Sequence, residues 1–313
     1  MILQRHLLDL ERLSKETILW LLKEAKELKD AYRKEKPLPS LKGKAVALLF
    51  REPSTRTRLS FERAAQLLDL ETLLIDEASS SRKKGESLQD TAVKLSDLAI
   101  EGLVLRTSVS GEPETLARFL DEKGIRLSVV NGGDGIHEHP TQGLLDAFTL
   151  WERWGDLRGK TIAIVGDILH SRVARSSTWA FHALGAKVRL VGPPSLVPLE
   201  MEGALPARVY HRLDEGLQGV DAVMGLRIQK EREAGGYLPG GGEYPSLWRL
   251  EEPLLEKLAP AALFLHPGPA GKGEEVTADL HDGPRSLVEE QVQNGLFVRM
   301  AVWLWVLEAM RHV

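Results

Sequence analysis

The sequence predicts an α/β protein of two domains, each a parallel sheet flanked by helices, joined by interdomain helices. Short apolar runs alternate with helix-like segments from residue 45 to residue 130, the rhythm of strands linked by helical crossovers. A second cycle of the same kind runs from residue 161 to residue 265. The length, 313 residues, matches two domains of roughly 150 residues each.

Ile18, Leu22, Ala25 and Leu28 recur at helical spacing among charged neighbours, with Ser14 as a cap. Residues 15–33 are therefore expected to form an amphipathic helix that Pro37 and Pro39 end. Strands follow near 45–50, 72–75, 102–106 and 126–130, and helices near 54–69, 86–98 and 112–120. A helix through Leu144 to Trp154 opens the second cycle, with strands near 161–165, 187–191, 221–224 and 262–265. The last helix, roughly 286–310, is apolar on several faces and is expected to be largely buried between the domains. We expect domains over 1–143 and 144–285, with the segment about 286–313 packing back on the first.

Hydrophobic residues make up 43% and charged residues 27%, ordinary for a globular protein. There is no cysteine, so disulfides, thiolate zinc sites and cysteine nucleophiles are excluded. A net charge of -4 and a pI near 6.2 argue against a global nucleic-acid surface. Residues 1–10 meet Asp9 too soon for a signal peptide, and the apolar run 300–307 is too short to span a bilayer. Cytoplasmic residence, without membrane or nucleic-acid partners, is the expectation.

Ser54, Thr55, Arg56, Thr57 and Arg58 crowd three hydroxyls and two guanidiniums at a strand-to-helix corner. Free N–H groups at the helix start would join them in an anion site, most naturally for phosphate. Capping alone does not need two arginines, because positive charge at a helix N-terminus opposes the dipole. Arg106 closes the run 103–105, and His139-Pro140-Thr141-Gln142 opens the long helix, where the dipole favours neutral imidazole. The stretch 79–87, SSSRKKGES, reads by itself as an exposed polar turn. The segment 161–172, TIAIVGDILHSR, has only Gly166 where a dinucleotide fingerprint needs three glycines, so a nicotinamide cofactor is not expected.

Arg172 lies just beyond that strand, as part of a ligand site or as a solvated surface arginine. Arg227 and Gln229 precede a glycine-dense stretch, 235–242, which is a closing loop or a slack surface loop. His266-Pro267-Gly268-Pro269 ends the last strand with carbonyl oxygens able to accept from a ligand amide. These residues suit a phosphate-bearing molecule and a second acidic one, with no side-chain nucleophile and no paired metal ligands.

The segments FREPSTRTRLSFE, KKGES, HPTQ, VGDILHSRVARS, RIQKER and HPGP, in this order, cover nearly the whole chain. Together they resemble the aspartate and ornithine carbamoyltransferases, more closely the aspartate branch. The resemblance implies a carbamoyl phosphate domain followed by an amino acid domain, trimers with shared active sites, and no cofactor or metal. It implies that Ser54, Thr55, Arg56, Thr57 and Arg106 hold the phosphate, with Ser80 and Lys84 lent by the adjacent subunit. Thr57, Arg106 and His139 would surround the carbonyl oxygen, while Gln142 and the backbone of Pro267 and Gly268 would meet the carbamoyl amide. Arg172, Arg227, Gln229 and Lys84 would grip the carboxylates of aspartate.

The implied activity is carbamoyl transfer to L-aspartate, an early step of de novo pyrimidine biosynthesis. The resemblance also leaves room for a dihydroorotase or a regulatory chain as partner. Ornithine is the alternative substrate, but its distal amine wants acidic acceptors where this chain offers Arg227 and Gln229. The ornithine enzymes also usually carry cysteine in the segments matching HPTQ and HPGP. A catalytically silent scaffold homologue should have lost charged site residues, and here the matched ones are present. The chain departs from its relatives after HPGP, where Ala270-Gly271-Lys272-Gly273 stands in place of an Asn-Arg pair followed by Gly, so that Lys272 offers no bidentate fork.

Overall fold

Ser14 accepts a hydrogen bond from Thr17 N and starts α1 (Lys15–Arg33), whose Ile18, Leu22, Ala25 and Leu28 are buried as their spacing requires. The helix stops ahead of the two prolines, because Lys34 caps it and Glu35 takes a left-handed φ of 51°. These coordinates come from a computed structural model that describes residues 5–75, 86–229 and 243–309. They divide into two compact units, one running to Thr141 and resuming at Asn294, the other Gln142–Gln293. The two boundaries fall inside helices α5 (Pro140–Trp154) and α12 (Val288–Ala309).

In the first unit the chain runs through β1 (Ala45–Phe50), α2 (Thr55–Leu67), β2 (Glu71–Ile75), α3 (Leu88–Asp97), β3 (Ile100–Thr107), α4 (Glu112–Glu122) and β4 (Ser128–Asp134). All pairs are parallel, in the order β2-β1-β3-β4. The chain winds outward from β1 to β2, then returns to the other side of β1 for β3. Before α1, Leu7 forms a parallel bridge with Val130 of β4. Ala47 and Leu49 pack with Leu95 of α3 and Leu116 and Leu120 of α4. On the opposite face Phe61 meets Trp303 of α12 edge-on, with centroids 5.8 Å apart. Apolar burial on both faces is why β1 and β3 read as continuous hydrophobic runs.

Lys29 Nζ donates to Asn294 Oδ1 at 2.6 Å, tying α1 to α12 through two buried polar groups. The expected strand near 126–130 instead starts at Ser128 and runs to Asp134. Gly132 permits the extension, since a Cβ there would lie 2.9 Å from Val104 Cγ1.

The second unit has a sheet of β5 (Thr161–Val165), β6 (Lys187–Val191), β7 (Ala207–Tyr210), β8 (Ala222–Gly225) and β9 (Leu263–Leu265). Its order is β7-β6-β5-β8-β9, again all parallel, with α6 (Arg172–Ala183) between β5 and β6. Short helices α7 (Met201–Ala204), α8 (Leu213–Leu217), α9 (Glu243–Trp248), α10 (Glu252–Leu258) and α11 (Ala278–His281) fill the remaining connections. The sequence pattern did not indicate β7, a four-residue edge strand that lacks a buried apolar run. Here the direction of winding reverses between β5 and β8.

One packing constraint is directly testable. A Cβ at Gly102 would lie 2.8 Å from Trp303 Cζ3 and 3.2 Å from Val46 Cγ1. Gly102→Ala should destabilise the protein by about 1–3 kcal/mol, the usual cost of overpacking, in denaturant unfolding.

Candidate functional site

In the first unit the matched residues gather at the carboxyl ends of β1, β3 and β4. Phe50 and Arg106 are register partners, so the corner leading to α2 starts one strand spacing, about 4.8 Å, from Arg106. Arg51 N donates to Arg106 O at 2.8 Å, and the Arg51 side chain pairs with Glu112 of α4. Buried Arg106 donates to Gly132 O at 3.1 Å and to Glu52 Oε1 at 3.0 Å, which holds its guanidinium between β4 and the corner after β1.

Ser54 occupies the N-cap position of α2, yet its hydroxyl makes no capping bond. The N–H groups of the first turn are therefore left to another acceptor. The turn contains no acidic residue, and among the described residues no carboxylate pairs with Arg56. Desolvation lowers the Arg56 pKa from the ordinary arginine value, and the group still stays charged. Thr57 is buried, whereas Thr55 and Arg56 are exposed. Bare N–H groups, hydroxyls and a guanidinium without a carboxylate partner among the described residues are donors from which an oxyanion can accept.

Buried His139 directly precedes α5. The turn that delivers it is organised by Asp134, which the sequence did not single out. Asp134 accepts from Gly111 N at 2.6 Å, Asn131 Nδ2 at 2.8 Å and Glu138 N at 3.0 Å. Three donors on one buried carboxylate hold both adjoining turns in place.

In the second unit the residues stand beyond β5, β8 and β9, three neighbouring strands. Val165 pairs with Gly225, and Gly166 follows with a φ of 132°. A Cβ on Gly166 would lie 2.4 Å from Leu226 O, so only glycine allows the two strand ends to approach. Asp167, buried next to it, accepts from His170 N and from Gln229 N, both at 3.1 Å. Gln229 Nε2 in turn donates to Arg227 O at 3.1 Å. Ser171 caps α6 and places Arg172 at its first position, buried rather than solvated.

The turn after β9 is shaped by His266, whose Nδ1 accepts from Gly268 N at 2.9 Å. Its Nε2 lies 3.2 Å from Glu275 Oε1, an oxygen that accepts from Gly271 N at 2.5 Å. Lys272 is engaged with Asp282 at 2.6 and 2.9 Å. Gln142, at the start of α5, donates from Nε2 to Asp146 Oδ1 at 2.9 Å. Ser80, Lys84 and the glycine-dense stretch 235–242 lie outside the described residues. Among the described residues, no group of acids and histidines could hold a metal ion, and no helix is long and apolar enough to cross a membrane.

Sequence reasoning missed Glu52, Asp134, Asp146 and Asp167 as site-building groups. Glu52, Asp134 and Asp167 are acids at or near strand ends, and that placement was the available signal; Asp146, in the second turn of α5 among apolar neighbours, carried none.

Comparison with known proteins covers both units. Residues 5–152 match the family model for the aspartate/ornithine carbamoyltransferase carbamoyl-P binding domain, and residues 158–306 the one for the Asp/Orn binding domain. The aspartate carbamoyltransferase catalytic subunit of Moorella thermoacetica is 47% identical over 300 residues, covering 96% of each chain. That of Anaeromyxobacter dehalogenans is 48% identical over 95% of this chain and 94% of the relative. Aspartate transcarbamoylase from Trypanosoma cruzi, solved with carbamoyl aspartate and phosphate, superposes with a TM-score of 0.83 at 27% identity, over 97% of this chain and 96% of that one. Ornithine carbamoyltransferase from Thermus thermophilus gives 0.83 at 31% identity, over 97% and 99%.

The turn before His139 predicts a pH dependence. Asp134 Oδ2 lies 3.1 Å from His137 Nδ1, and this hydrogen bond, the largest cause, raises the His137 pKa above 6.5. A raised histidine pKa contributes stability in full below the unfolded value and loses it as pH rises through the folded one. Unfolding free energy should therefore fall as pH climbs above 6.5, by no more than about 1 kcal/mol given the part-exposed ring. His137→Gln should flatten that slope in denaturant titrations.

Proposed function

The chain belongs to the aspartate/ornithine carbamoyltransferase family, and we propose that it transfers the carbamoyl group of carbamoyl phosphate to the amine of L-aspartate, giving N-carbamoyl-L-aspartate and phosphate. The observation that carries the choice of aspartate is the pair Arg172 and Arg227 at adjoining strand ends, with Gln229 braced by Asp167. Two guanidiniums suit a dicarboxylate, whereas the distal ammonium of ornithine would meet like charge. Relatives at 47–48% identity over nearly the whole chain are named for aspartate, which supports the same choice.

In this proposal the first-turn N–H groups of α2, with Ser54, Thr55, Arg56, Thr57 and Arg106, hold the phosphate. Thr57, Arg106 and His139 donate to the carbonyl oxygen. Gln142 and the backbone at Pro267 and Gly268 accept from the carbamoyl amide. Arg172, Arg227, Gln229 and Lys84 bind the aspartate carboxylates. The aspartate amine attacks the carbonyl carbon, the new N–C bond forms, and negative charge collects on the oxygen. The C–O bond to phosphate then breaks, and the phosphate leaves with the bonding pair and takes the amine proton. Fixed donors around the oxygen lower this barrier because they need no reorganisation as charge develops. Orientation of two bound anionic substrates adds an effective-molarity advantage of up to about 7–11 kcal/mol.

We further propose a homotrimer whose sites are completed by Ser80 and Lys84 of an adjacent copy, acting in the cytoplasm in pyrimidine biosynthesis. Its support is β2, an edge strand immediately before residue 76, on which Leu73 and Leu74 are both exposed. Adjacent exposed leucines on an edge strand suit burial against a second copy.

Purified protein given carbamoyl phosphate should release phosphate with aspartate and not with ornithine. No release with aspartate overturns the proposal. Thr57→Val should lower kcat about 100- to 1000-fold, as expected for loss of one oxyanion donor, with the aspartate KM nearly unchanged. Mixing inactive Lys84→Ala and Arg56→Ala chains should restore activity in mixed trimers, whereas confirmed mixed trimers without activity would rule out shared sites.

A further inference from the structure

Asp146 has no solvent exposure, and nothing in the reaction above uses it. Its Oδ1 accepts from Gln142 Nε2 at 2.9 Å and from Gln291 Nε2 at 2.7 Å, and its Oδ2 accepts from Ser177 Oγ at 2.8 Å. A carboxylate can only accept, so it decides which end of each glutamine amide faces it. Gln291 consequently turns its oxygen to the backbone, where Oε1 accepts from His266 N at 2.9 Å. The other end of the same turn is closed by the bond from Gly268 N to His266 Nδ1. Gln142, bound the same way, must direct its oxygen away from Asp146.

We propose that Asp146 is the positioning and specificity-determining residue for the carbamoyl NH2 group. It sets the polarity of Gln142 directly and fixes the His266–Gly268 turn through Gln291. The inference rests on the proposed function, in which Gln142 and that turn accept from the carbamoyl amide. An amide free to rotate offers N–H to the substrate as readily as oxygen. Held by Asp146, it offers an acceptor alone, which an NH2 group satisfies and a methyl group leaves unpaired. Sites built to hydrogen-bond a donor reject analogues that lack it. The preference for carbamoyl over acetyl phosphate, which differ by NH2 against CH3, is therefore encoded by Asp146 although it touches neither.

The experiment compares wild type, Asp146→Ala, Asp146→Asn and Gln291→Met, measuring the KM for carbamoyl phosphate, the Ki of acetyl phosphate as a competitor, and the KM for aspartate. Asp146→Ala should raise the carbamoyl phosphate KM about 10-fold, the scale of one unsatisfied buried polar group, while the acetyl phosphate Ki stays within about 2-fold. Asp146→Asn keeps one accepting oxygen and should retain the wild-type preference. Gln291→Met should weaken the preference in the same direction, and it decides the matter if Asp146→Ala does not fold. Equal losses for the two acyl phosphates, or an unchanged preference in both variants, would overturn the inference while leaving the proposed activity standing. A wild-type protein inactive with carbamoyl phosphate and aspartate would instead overturn the functional proposal, and this inference with it.

Discussion

Parallel pairing places the ends of successive strands on one edge of a sheet, and a reversal of winding opens a gap there between neighbouring loops. Both sheets of this protein have such a reversal, between β1 and β3 and between β5 and β8. The Ser54–Thr57 corner and Arg106 flank the first, and Arg172, Arg227 and Gln229 flank the second. Placement of these residues thus depends on register: Phe50 opposite Arg106, and Val165 opposite Gly225. A one-residue slip would turn Arg106 to the other face of its sheet. Gly132 and Gly166 help to secure the arrangement, because a side chain at either would meet the neighbouring strand end.

On that frame, a small set of acids gives the site residues their orientation. Glu52 receives Arg106, Asp134 gathers three donors around the turn before His139, Asp167 takes the backbone of Gln229, and Asp146 takes two glutamine amides. Desolvating a carboxylate is costly unless its lone pairs are filled, and filled ones make strong, directional bonds. These groups are therefore suited to holding donors and amides still before substrate arrives, which is what electrostatic catalysis requires. They also reconcile a chain of net charge -4 with anion-binding corners, since its acids are in part committed internally.

Much of the architecture was legible in the sequence where local and tertiary demands agree. The run Ala45–Phe50 is apolar on both faces because both faces are covered, and Ser14 caps α1 as its position suggests. Legibility failed where tertiary pairing overrides propensity. Residues 131–134, Asn-Gly-Gly-Asp, carry turn-like chemistry yet extend β4, because β3 supplies the partners Leu105 and Thr107. The edge strand Ala207–Tyr210 is paired on one side only and shows no apolar run. Within the site, arginines at strand ends announced themselves by charge. Asp146 did not, because its meaning lies in partners such as Gln291, which is 145 positions away.

Arg56 and Arg172 show how such a site is held ready for an anion. Each sits in the first turn of a helix that has no acid there, so each opposes the local dipole. The α6 end relieves part of this with the Ser171 cap, whereas at α2 the Ser54 hydroxyl makes no such bond. The first turn of α2 therefore keeps both its N–H groups and an arginine directed to an acceptor that the described residues do not supply. A group with several anionic oxygens answers all of these at once, satisfying the N–H groups, restoring the dipole and neutralising the guanidinium. In the proposed function, the positive charge of Arg56 at the start of α2 is itself the recognition element, and it favours a phosphate over a singly charged carboxylate there.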